Sequence, residues 1–174
     1  MDKAEDIVRQ ESRKRFLDVA EEVLKRFILL PENPEPERKG CYICVMTKPG
    51  PKIFLVAELG NCGITKADKY FNLSQEKVHR LLSHGHFSSW QSRDISDGKY
   101  GGAITAPLDS QGYAEGQKMA IGISGFTEEG DEAVALVIGL ALKWIVLADA
   151  ELITGISGNK LFIPLMEACA DLFE

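Results

Sequence analysis

The stretch Lys118–Ser124, KMAIGIS, runs straight into Gly125-Phe126-Thr127 and then a long apolar segment. No other part of the chain restricts the possible fold as much. Side chains alternate along a strand, so Met119, Ile121 and Ile123 share one face and Ala120, Gly122 and Ser124 the other. The second face is almost bare. A bare strand face admits a helix, another backbone or a flat ligand at close range. Gly101–Ala106 reads as a partner strand joined to this one by a polar loop. Thr127 fits a helix N-cap, and Glu128, Glu129, Asp131 and Glu132 in the first turns complement the positive end of the helix dipole. The same carboxylates have an alternative use in acid–base chemistry. Ala133–Leu147 is then nearly all apolar, interrupted by Gly139, Lys143 and the Trp144 indole. A helix apolar all round is buried or lies in an oligomer interface. This run falls short of the ~20 apolar residues of a membrane span.

Upstream, Lys3–Leu30 reads as a long helix with an apolar stripe of Ile7, Phe16, Val19/Ala20, Val23/Leu24 and Phe27. The prolines of Pro31–Pro36 end it. Cys41–Thr47 and Lys52–Glu58 form a hairpin about Pro49-Gly50-Pro51. Both strands are apolar on both faces, which predicts a sheet covered on both sides. Gly60–Gly63 reads as a loop, Thr65–Tyr70 as a short helix, and Ser74–Ser83 as a second helix capped by Ser74 and stopped at Gly85. His84 and His86 flank Gly85 as candidate metal ligands, although an HxH pair lacks a third ligand. Phe87, Trp90 and Tyr100 sit in or beside a polar stretch that either rims a pocket or folds over the sheet edge. Past Ala148, Leu152–Ile156 reads as a final strand, Ser157-Gly158-Asn159 as a turn, and Leu161–Phe173 as a closing helix.

The length of 174 residues predicts one domain, residues 1–174. With 20 basic and 26 acidic side chains the net charge is −6, which argues against nucleic acid as a partner. The first residues, MDKAEDIVRQESRKRF, lack a basic-then-apolar leader pattern, so a cytoplasmic location is expected. Four cysteines agree with reduced thiols there. Cys41 and Cys44 form a CxxC, but within a strand positions i and i+3 face opposite sides. GxGxxG, GxxxxGK[ST] and GxSxG motifs are absent.

Ala120-Ile121-Gly122-Ile123-Ser124-Gly125, followed by Thr127, Glu129, Asp131, Glu132 and Ala135, resembles the signature of the HbpS/GlcG-like haem-binding family. Gly101-Gly102-Ala103-Ile104 is similar to that family's upstream glycine motif, without its proline. The likeness follows Asp6–Ala148 in order and is specific over Gly101–Ala135; residues 149–174 form an extension without a counterpart. The resemblance implies an α/β (α+β) profilin-like sandwich, an antiparallel sheet with helices on both faces, in a homo-oligomer. Among such relatives some bind haem. The expectation is a non-enzymatic binder of haem or another small organic ligand, with no membrane partner. The ligand-binding residues would be Ala120, Gly122, Ser124, Tyr100 and Trp90, with His84 and His86 the metal candidates. A small enzyme using its carboxylates, and a profilin-like interaction scaffold, are the alternatives.

Overall fold

The structure, a computed structural model, describes residues 3–48, 52–107 and 118–174. In chain order the elements are α1 (Lys3–Ile28), β1 (Lys39–Lys48), β2 (Lys52–Asn61), α2 (Ile64–His84), β3 (Ala103–Pro107), β4 (Lys118–Ser124), α3 (Glu128–Ala141), α4 (Leu147–Ser157) and α5 (Phe162–Ala168). The four strands form an antiparallel sheet in the order β2-β1-β4-β3. This is the expected α+β sandwich, with helices on both faces of the sheet. The Pro49-Gly50-Pro51 turn, the loop joining β3 to β4 and the Ile7 side chain lie outside the described residues.

The period of two along the strands sorts the core into two layers. Cys41, Ile43, Val45, Ile104, Met119, Ile121 and Ile123 face α1 and α3. Cys44, Met46, Ala103 and Ala120 face Val78, Leu81 and Leu82 of α2. Cys41 and Cys44 therefore stand on opposite faces, both as free thiols. The extension joins the first layer, since Ala150, Ile153, Leu161, Phe162, Leu165 and Cys169 are buried with α1 and α3.

Four expectations about elements change. First, residues 64–84 form one helix rather than two. No glycine or proline interrupts them, and Ser74 is buried mid-helix with its Oγ donating to Phe71 O at 2.9 Å. That back-bond lets a serine sit inside a helix instead of capping one. Second, β2 continues through Asn61, so Gly60 and Asn61 belong to the strand. Third, α3 stops at Ala141 rather than reaching Leu147. Lys143 takes a positive φ of 60°, and Trp144 N and Ile145 N donate back to Gly139 O. Leu142 and Ile145 of the turn are buried like the helix, so their apolar character does not mark its end, although Lys143 and Val146 are exposed. Fourth, Leu152–Ile156 is helical within α4, not a strand. Asp149 accepts from Val146 N at 3.1 Å at its start, and Gly158, with φ 70°, closes it. The closing helix is correspondingly shorter, α5 being followed by a 3₁₀ turn over Ala170–Phe173. Gly85 does end α2 in the left-handed conformation, and Thr127 does cap α3, accepting from Gly130 N at 3.1 Å.

Candidate functional site

The bare face of β4 is occupied by α2. A Cβ at Gly122 would fall 2.5 Å from Val78 Cγ2 and 2.7 Å from Ser74 O, so the helix backbone itself rests on this glycine. Ala120 is fully buried in the same layer. The absent side chains serve close helix-on-sheet packing at these two positions. Trp90 lies elsewhere: its ring packs over Gly101, and the Arg93 guanidinium sits 4.3 Å from the ring centroid. The stretch carrying Phe87 and Trp90 folds along the free edge of β3, where Thr105 N donates to Phe87 O at 2.9 Å. Arg80 anchors that stretch from α2 by donating to Ser89 O, Ser92 O and Tyr100 O.

A cleft of about 360 Å³ opens where β4 ends, between the first turns of α2 and α3. Ser124 and Tyr100 border it, together with Tyr70, Phe126, Lys66 and Lys69. A second hollow of about 320 Å³ shares Arg38, Lys66 and Tyr70 with it and runs on past Cys62.

The floor of the cleft is a buried ion pair. Lys77 Nζ stands 3.0 Å from Asp131 Oδ2 and donates to Ile123 O at 2.7 Å; the two side chains are 2% and 3% exposed. Phe126 N donates to Asp131 Oδ1 at 2.9 Å, which ties the turn before α3 to its first turn. Gly102 makes room for the pair. Its φ is 113°, and a Cβ there would lie 2.7 Å from Asp131 Cβ and 2.9 Å from Lys77 Nζ. Burial pushes the Asp131 carboxyl up to about 6, against the opposing pull of Lys77 and the amides of Phe126 and Gly125.

The other two acids in the cleft, Glu35 and Glu128, are each ion-paired. Glu35 holds Arg38 at 2.9 Å, and Glu128 holds Arg93 at 2.7 Å. Lys66 and Lys69 are exposed and have no acidic partner among the described residues. The first turn of α2 has no acidic side chain, and its cap residue Gly63 contributes no side-chain acceptor. Two cations without an acidic partner among the described residues thus border a cleft in a chain of net charge −6.

His84 and His86 sit at the far end of α2 from the cleft, with parallel rings 5.1 Å apart. Their planes are stacked, so the two rings do not converge on one point, and no group of three metal-ligating side chains occurs among the described residues. The cleft lining includes no histidine. A haem seated on the β4 face with a histidine ligand does not fit these residues.

Sequence reasoning placed Asp131 at the helix start and missed its partner. The available signal is Lys77 itself, a lysine beside the buried stripe Tyr70, Ser74, Val78 and Leu81. Glu132 likewise reads in the sequence as an acid at the helix dipole. It is fully buried and accepts from Ser88 Oγ at 2.7 Å, Ser157 Oγ at 2.5 Å and Asn159 Nδ2 at 3.1 Å. Burial raises this carboxyl too, against those three donors.

No protein-family model, curated protein or solved structure matches this chain. The likeness to the HbpS/GlcG family therefore rests on the residues quoted for it. Among the described residues no helix is long and apolar enough to cross a membrane.

Proposed function

We propose that the chain is a binding protein for a small organic anion, held in the cleft between the first turns of α2 and α3. The observation that carries this reading is the pair of exposed lysines, Lys66 and Lys69, without an acidic partner among the described residues, on a cleft walled by Tyr70, Tyr100 and Phe126. Small-molecule sites combine apolar or aromatic walls with a few charged groups that fix orientation. Here the aromatic side chains would take the body of the ligand, and Lys66 and Lys69 its carboxylate, phosphate or sulfonate.

The test is a fluorescence titration of the full chain with 8-anilino-1-naphthalenesulfonate, an aromatic sulfonate, with haemin as a second arm. Saturable binding should weaken about tenfold or more in the Lys66→Glu/Lys69→Glu variant, since each reversal replaces an attraction by a repulsion of order 1 kcal/mol. Equal affinity in the variant and the parent would refute the assignment of the cleft. A saturable Soret shift with haemin, indifferent to the two lysines, would favour a tetrapyrrole held elsewhere.

A further inference from the structure

We propose that an anion entering the cleft is taken up together with a proton, which Asp131 receives. The inference rests on the reading of the cleft as an anion site. Lys77 and Asp131 both line the cleft and are otherwise shut from water. While Asp131 is ionised, it cancels the Lys77 charge at 3.0 Å, and an arriving anion meets a neutral floor. When a proton from solvent settles on the Asp131 carboxylate, that cancellation ends. Lys77 keeps Ile123 O as an acceptor at 2.7 Å, and its charge becomes available to the ligand. An anion in turn disfavours a second negative charge beside it, so anion and proton assist each other's binding.

The surroundings single out Asp131 as the titrating group. From α2 Lys77 pairs with it, and Lys66 and Lys69 of α2 with Glu35 and Arg38 of the loop before β1 line the same cleft. On α3 its neighbour in the cleft is Glu128, which is tied to Arg93. Burial raises the Cys41 thiol of β1, the Tyr70 phenol of α2 and the Cys62 thiol before it, keeping all three protonated near neutrality. Glu132, also raised by burial, is absent from the cleft lining, so the acid there that changes charge in a mildly acidic range is Asp131, pushed up to about 6.

Calorimetric titration of the full chain with 8-anilino-1-naphthalenesulfonate tests this, because the sulfonate stays ionised throughout. Affinity should be about three- to tenfold higher at about pH 5.5 than at about pH 8, a factor of ten corresponding to one unit of change in proton affinity. Repeating the titration near pH 6.5 in buffers of different ionisation enthalpy should show a fraction of a proton absorbed per ligand. Asp131→Asn should abolish that uptake. Should that variant fail to fold, the carboxyl carbon resonance of Asp131 in the natural chain serves instead, and its titration midpoint should rise at saturation. Saturable binding without proton uptake, and with equal affinity across the range, would overturn the coupling and leave the anion site standing. No saturable binding at any pH would remove both.

Discussion

Lys77 and Asp131 place two opposite charges 3.0 Å apart in a setting almost closed to water. Desolvating two ions is unfavourable, and their attraction compensates only while both are present; losing one partner typically costs about 3–5 kcal/mol. Lys77→Met should therefore destabilise the chain by about that amount near neutral pH, as read by denaturant unfolding. The cost should shrink on mild acidification. The folded Asp131 carboxyl lies near 6, above the ordinary 3.8. Its neutral form is thus the one that folding favours, a contribution fully present below the unfolded value and lost as pH rises through the folded one. Without Lys77 the carboxyl rises further, so the window widens upward. A penalty that grows toward pH 5, or no penalty near pH 7, would contradict the burial of the pair. Gly102 belongs to the same unit, because any side chain there would displace one of the two ions.

At the scale of elements, α2 does what the sequence left open between a helix and a ligand on the β4 face. Gly122→Val should destabilise by about 3 kcal/mol, the upper part of the overpacking range, since Ser74 O belongs to backbone that cannot rotate away. Thermal unfolding checks it, and an unchanged midpoint would mean that α2 does not rest on β4 as described. The strands were legible because alternation is a strict period: Met119, Ile121 and Ile123 face one layer and Ala120 the other. The cap at Thr127 and the stop at Gly85 were legible because each is local chemistry between near neighbours. Elements whose type depends on distant contacts were not. Leu152–Ile156 has strand-like residues but is helical, its ends set by Asp149 and Gly158 and its Ile153 buried among α1 and α3. Of the five expected ligand residues, Ser124 and Tyr100 border the cleft, while Ala120, Gly122 and Trp90 are used in packing. The ion pair joins residues 54 positions apart, and no local pattern reports such a meeting.

Across the whole molecule, the two faces of the sheet carry different duties. The α1 and α3 layer holds most of the apolar core and is extended by α4 and α5. Glu132 fastens the junction of α4 and α5 by gathering Ser157 and Asn159, and Arg26 fastens the end of the extension through Asp171. The α2 layer is thinner, and at one end it leaves the gap in which Lys66, Lys69 and the Lys77–Asp131 floor meet. An anion-binding cleft at that end is the central claim. Its most direct test is a nitrogen-15 amide titration of the full chain with 8-anilino-1-naphthalenesulfonate, followed residue by residue. Saturable shifts concentrated in Ile64–Tyr70 and Gly125–Glu128 are the predicted result. Shifts centred on His84–Phe87, or none that saturate, would contradict it.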